Sequence, residues 1–133
     1  MDYALTTHLD LPFAEAVDRT RAALAEQGFG VLTEIDVRRT LHTKIGAELE
    51  DYLILGACNP PLAHRAIEAD RRIGLLLPCN VVVRAGEGHT VVEAIDPQVM
   101  VGISEAPELA AVAEEAARLL RAALATLTEG AAK

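Results

Sequence analysis

Aromatic side chains make up only 3% of the 133 residues, and tryptophan is absent. That scarcity leaves few stacking platforms for bases or sugars and obliges the core to be built from Val, Leu, Ile and Ala. Positive charge is also short: 12 Lys and Arg stand against 20 Asp and Glu, for a net charge of −8. Such a surface repels a phosphate backbone, which excludes nucleic-acid binding unless the basic residues cluster. The clustering is mild, since residues 38–72 hold six basic and five acidic side chains. Long apolar runs are missing too, and nothing approaches the roughly 20 residues of a membrane span. The first residues, Met1 to Thr7, have neither the basic start nor the apolar run of a signal peptide.

Two cysteines do not make a disulfide framework, so free thiols in a reducing cytoplasm are expected. The metal-ligand spacings CxxC, HxxxH and HExxH do not occur, and His8, His42, His64 and His89 are scattered. The sole serine, Ser104, falls in a linker and suits a helix cap rather than a nucleophile elbow. Gly86-Glu87-Gly88 is too short and acidic for a phosphate loop and fits a hairpin turn. No catalytic constellation emerges, so an enzyme is the least favoured class of function.

What is present is globular. Hydrophobic residues reach 51% and charged residues 24%, enough to bury a core in one domain over about residues 3–128. A strand over 3–9 leads to a helix that starts near Asp10 and Pro12 and stops at Gly28, expected in the left-handed conformation. From Gly30 the period becomes two, with Val31, Thr33, Ile35 and Val37 on one side and Leu32, Glu34 and Asp36 on the other. A short helix over 38–45 lies at the edge of the core. The apolar run 52–58 predicts an interior strand. Asn59-Pro60-Pro61 opens a helix whose inner face is Leu62, Ala66, Ala69 and Ile73. A strand over 75–84 is interrupted by Pro78, and 89–96 pairs back on it as a hairpin. Residues 97–104 form a linker before a long Ala-rich helix, whose small side chains reflect either helix propensity or a face for a partner subunit. The order is β-α-β-(short α)-β-α-β-β-α, an α+β domain with helices on one face of the sheet.

Chemistry concentrates in Leu55-Gly56-Ala57-Cys58-Asn59-Pro60 and Leu77-Pro78-Cys79-Asn80, each a cysteine followed by asparagine at a strand end. Cys58 precedes a helix start, where unpaired N–H groups and the helix dipole stabilise a thiolate. Such a thiolate serves as a nucleophile, a soft-metal ligand or a carrier of sulfane sulfur. The competing reading makes both thiols small buried hydrophobes. His64, six residues on, is in reach of a Cys58/His64 pair. A Cys58–Cys79 disulfide requires Cα atoms within about 7 Å. An ordinary crossover would set the two strands parallel and the thiols at opposite ends; any other connection lets them meet. Glu34 and Asp36 form either a carboxylate pair or a solvated strand face. Arg38, Arg39 and Lys44, with Arg71 and Arg72, either bind an acidic ligand or balance Glu48, Glu50 and Asp51.

The two cysteine segments resemble the signature of the bacterial and archaeal family catalogued as domain of unknown function 302. The segments Glu34 to Leu41 and Val91 to Pro97 fit the same pattern. The resemblance implies an antiparallel sheet backed by helices, similar to the TATA-binding-protein fold in β-α-β-β-α-β-β-α order, in a homodimer. It implies no DNA binding, because fold does not determine function. The matching motif positions are Cys58, Asn59, Pro60, Cys79 and Asn80. Two functions remain in view. One is a thiol-dependent binding or relay module with Cys58 reactive, Asn59 stabilising it, Cys79 as second thiol, and a soft metal, haem or sulfane sulfur as cargo. The other is a homodimeric interaction or small-ligand-sensing module, with a small ligand or protein partner and purely structural cysteines.

Overall fold

In the computed structural model, which describes residues 2–131, strand β1 (Ala4–Leu9) leads through Pro12 into helix α1 (Phe13–Glu26). Gly28 closes α1 at φ +84°, the left-handed conformation expected of it. Strand β2 (Gly30–Asp36) runs directly into α2 (Val37–Ile45), because the Asp36 carboxylate accepts the Arg39 N–H and caps that helix. Strand β3 (Tyr52–Cys58) precedes α3 (Pro60–Ala69), and β4 (Cys79–Ala85) and β5 (Thr90–Ile95) form the hairpin. Helix α4 (Val99–Ile103) and the long α5 (Leu109–Ala131) complete the chain. The five strands form one sheet in the order β1-β5-β4-β3-β2, with every neighbouring pair antiparallel. This is the α+β architecture that the strand and helix periods predict.

Helices α1 and α5 lie against one face of the sheet. Leu53 and Leu55 of β3, Val81 and Val83 of β4, and Val92 and Ala94 of β5 point into that layer. They meet Ala16, Ala23 and Leu24 of α1 and Leu120, Ala123 and Leu127 of α5. A second apolar cluster lies at the end of the sheet, where α3, α4 and the first half of α5 converge. Its members include Leu62, Ala66, Ile73, Met100, Leu109, Val112 and Ala116. The buried alanines of α5 therefore face the domain's own interior, although Ala110, Ala111 and Ala125 remain exposed. Among the described residues, no helix is long and apolar enough to cross a membrane.

Three segments depart from the sequence-based expectation. The helix expected to run from 60 to 73 ends at Ala69, because Asp70 turns extended (φ −153°, ψ 108°) and caps a 3-10 turn over Arg71–Leu76. That turn replaces the first part of the strand expected from residue 75, and Leu75 is 81% exposed. Pro78 carries no N–H for a ladder bond, so β4 begins only at Cys79. The stretch read as a linker contains α4, begun by an Asp96 carboxylate that accepts the Gln98 N–H. Finally, a bulge between Val31 and Thr33 breaks the strict alternation of β2. Val31 pairs with the inward Ala57, whereas Thr33 pairs with Gly56 on the opposite face, so these two do not share a side. The bulged residue, Leu32, is left 67% exposed.

Candidate functional site

Antiparallel pairing of β3 with β4 decides whether the two thiols meet. Ala57 lies directly opposite Cys79, which brings Cys58 and Cys79 to the same end of the sheet. Helix α3 is thus not a crossover between parallel strands; with its 3-10 extension it folds over the sheet end and returns the chain beside β3. Both cysteines are free thiols, Cys58 half-buried and Cys79 buried.

The two thiols line one cavity of about 280 Å³. Its floor is Ala57 and Phe29, its sides are Leu62, Ala63, Ala66 and Ile67 of α3 with Val112 and Ala116 of α5, and Met100 reaches in from α4. Leu32, Leu77 and Pro78 form the rest of the wall. The cavity exists because small side chains stand where α3 and α5 face each other: Ala63 and Ala66 on one, Ala116 on the other. Lining of this kind is overwhelmingly apolar, and Asn59 is the one lining residue with an amide, carboxylate or basic side chain. Leu77, Pro78, Cys79 and Met100 also border a neighbouring cleft, so they form the partition between two cavities.

Gly56 fixes the approach of β2 and the Pro78 loop to this corner. A Cβ built there would stand 2.1 Å from Thr33 Oγ1 and 2.9 Å from Pro78 Cγ, so only glycine fits. Asn59 performs the neighbouring task. Its Oδ1 accepts the Leu62 N–H at 3.4 Å, capping α3, and its Nδ2 donates to the Gln27 carbonyl at 3.5 Å, tying α3 to the end of α1. A Cβ on Gly28 would lie 3.1 Å from that Nδ2, a second reason for glycine at that turn.

These details correct the expected role of the α3 N-terminus. The first two helical positions are Pro60 and Pro61, which have no N–H. The Leu62 N–H is taken by Asn59 Oδ1, and the Ala63 N–H by the Asn59 carbonyl at 2.9 Å. The helix's own first N–H groups are thus absent or engaged, and the Asn59 side-chain amide is engaged elsewhere. The Cys79 thiol is different again. Burial pushes it up from 9.0 to about 11, and the charge of the nearby Cys58 adds to the rise. Cys79 is therefore a neutral thiol at physiological pH.

The other expected site residues separate from this corner. His64 faces outward on α3, with its side chain 76% exposed and Nε2 3.4 Å from Glu68, so no Cys58/His64 pair forms. Asn80 is exposed on the opposite sheet face and borders only the neighbouring cleft. Glu34 pairs with Arg21 of α1 and Asp36 caps α2, so they do not act as a carboxylate pair. The basic residues do not converge either: Arg38 binds Asp51 at 2.8 Å and Arg71 approaches Glu68 at 3.6 Å. The Ser104 side chain caps no helix: its hydroxyl accepts the Ala106 N–H three residues before α5 begins and donates to Asp70 Oδ2 at 2.6 Å, fastening the end of α4 to the 3-10 turn. Sequence reasoning missed Met100, Ala63 and Leu32. The signal for Ala63 was available in the i, i+3 spacing of Ala63 and Ala66. Met100 lay in a segment read as linker, and Leu32 is re-aimed by a bulge that no periodicity foretells.

Sheet order, helix placement and a thiol-bearing pocket at the strand ends define a class: small antiparallel α+β domains with paired cysteines beneath a capping helix. The chain matches the family model described as "Domain of unknown function DUF302" over residues 5–127, and it belongs to that family. A crystal structure of an uncharacterized conserved DUF302 protein from Bacillus stearothermophilus is similar throughout, with a TM-score of 0.88 at 29% identity. The match covers 94% of this chain and 98% of that one. No functionally curated protein matches the chain.

Proposed function

We propose that the protein is a thiol-dependent binding module in which a small cargo enters the apolar cavity and is held by Cys58. The supporting observation is the convergence of two free thiols on one cavity that the backbone leaves unfilled. A cavity of about 280 Å³ lies at the lower edge of the roughly 300–1,000 Å³ range of small-molecule sites, which argues against a haem macrocycle. A native mass spectrum of protein purified without metal depletion tests the reading. A bound mass that disappears in Cys58→Ser supports it. Two unmodified thiols with no bound mass, in protein whose Cys58 is inert to thiol reagents, overturn it.

A second reading, a homodimeric interaction module, rests on the sheet face turned away from α1 and α5. That face presents Ile35, 48% exposed, in register with half-buried Ile54 and Val82. Apolar side chains in a row across three strands suit a self-complementary contact. The same spectrum reports it: a dimer that survives Cys58→Ser and splits on Val82→Glu.

A further inference from the structure

Three sulfur-bearing side chains, Cys58, Cys79 and Met100, reach the same cavity from three separate elements: the end of β3, the start of β4, and α4. Cys79 and Met100 also both line the adjoining cleft, so both residues border the wall between the two. We propose that the cavity is a site for a soft monovalent cation, Cu(I), bound by the sulfurs of Cys58, Cys79 and Met100. The inference rests on the thiol-dependent reading above and names its cargo.

The chemistry of the lining makes the choice. Thiolate and thioether sulfurs select Cu(I), whereas zinc in a structural site takes four ligands that include imidazole or further thiolates. Among the described residues, no group of three or more His, Cys, Asp or Glu side chains could hold a metal, so harder cations lack a ligand set. A low-coordinate soft cation needs only sulfur. A bound Cu(I) offsets one of the two thiolate charges in this apolar surround, and the remaining charge falls on the side of half-buried Cys58, which keeps contact with solvent. On binding, copper forms bonds to two thiolate sulfurs and one thioether sulfur and stays in the +1 state. The Cys79 proton passes to solvent, as does any proton carried by Cys58, and no oxidant or reductant is consumed.

The test is an anaerobic titration of the reduced full chain with Cu(I) in competition with a chromophoric Cu(I) chelator. Wild type is expected to take up one equivalent per chain. Cys58→Ser and Cys79→Ala are each expected to lose that uptake, with circular dichroism checking that both remain folded. Met100→Leu keeps the volume and removes the sulfur, and is expected to weaken binding roughly tenfold. No uptake by the folded, reduced wild type overturns the proposal, as does uptake undiminished in Cys79→Ala or in Met100→Leu. A Cys58-dependent bound mass that is not copper, together with failed copper uptake, overturns the copper assignment alone. Loss of every Cys58-dependent ligand overturns the parent reading as well.

Discussion

The apolar interior has two parts built on opposite plans. Between the sheet and α1 and α5, branched side chains from β3, β4 and β5 meet two helices, and Leu55, Val81, Val83, Val92 and Leu120 have no exposed surface. Around the thiols, alanines face alanines across α3 and α5, and a void of about 280 Å³ remains. Protein interiors are packed as densely as organic crystals, and a pocket of this size, open to solvent on one side, forgoes dispersion contacts that the first cluster makes. The contrast separates residues that hold the fold together from residues that keep a space open. It also orders the effects that substitutions should have.

The sharpest break is expected in the packed part. Leu55 is fully buried at the centre of β3, so Leu55→Ala removes its transfer energy and leaves a cavity. A loss of about 3–4 kcal/mol in urea unfolding is expected, with the midpoint shifted and the slope unchanged. Met100→Leu, at the edge of the void, should cost less than about 1.5 kcal/mol, as volume-conserving swaps do. Equal losses at the two positions would show that the clusters do not differ in kind.

The next effect is one of pH, at the boundary between the parts. Cys79 is raised from 9.0 to about 11 by burial in the apolar wall. The folded state thus keeps this proton at a pH where the unfolded chain has released it. Below about pH 9 both states hold the proton and the stability is fully present; between pH 9 and 11 the unfolded chain binds fewer protons and stability falls. The part of that fall due to Cys79 is about 2 kcal/mol between pH 8 and pH 10.5 and should vanish in Cys79→Ala. Unfolding curves of the two proteins at pH 8 and pH 10.5 measure it. Parallel alkaline losses in both would refute the assignment.

A smaller loss, about 1 kcal/mol, is expected of Asn59→Ala, since the substitution removes the α3 cap and the tie to Gln27. Asn59→Asp keeps an acceptor for the Leu62 N–H and should recover most of the cap while losing the amide donor to Gln27. Thermal unfolding of the two variants separates the contributions, and a wild-type Tm in Asn59→Ala would remove Asn59 from the structural account.

Much of this architecture is legible in the residues. Period-two alternation placed β2, a continuous apolar run placed β3, the Gly86–Gly88 turn placed β5 as a hairpin partner, and Pro60-Pro61 after Asn59 marked the start of α3. The cysteine segments drew attention to the right end of the sheet. What stays hidden in the sequence is relational. Whether Cys58 and Cys79 meet depends on the direction of β4 relative to β3, which no local signal carries. The cavity depends on Ala63, Ala66 and Ala116 facing one another across two helices remote in sequence. Pro60 and Pro61 could have warned that the α3 N-terminus lacks donors, because a missing N–H is a property of the residue itself. Residues 75–77 misled because an apolar run with a proline at its end reads the same as a strand or as a 3-10 turn.

The gentlest prediction sharpens the comparison most. Ala66 is buried and lines the void, so Ala66→Leu extends a side chain into space that is already there. In the packed part, added methylenes force neighbours aside at a cost of about 1–3 kcal/mol. Here the leucine meets an apolar void and keeps helix propensity, so stability should change by less than about 1 kcal/mol in either direction. Occupancy should change completely, because the side chain fills the volume that a cargo needs. A folded Ala66→Leu variant that loses the Cys58-dependent bound mass would show that the void is held open for binding. A variant that unfolds like Leu55→Ala would mean that the alanines at this corner serve packing, and that both clusters are one core.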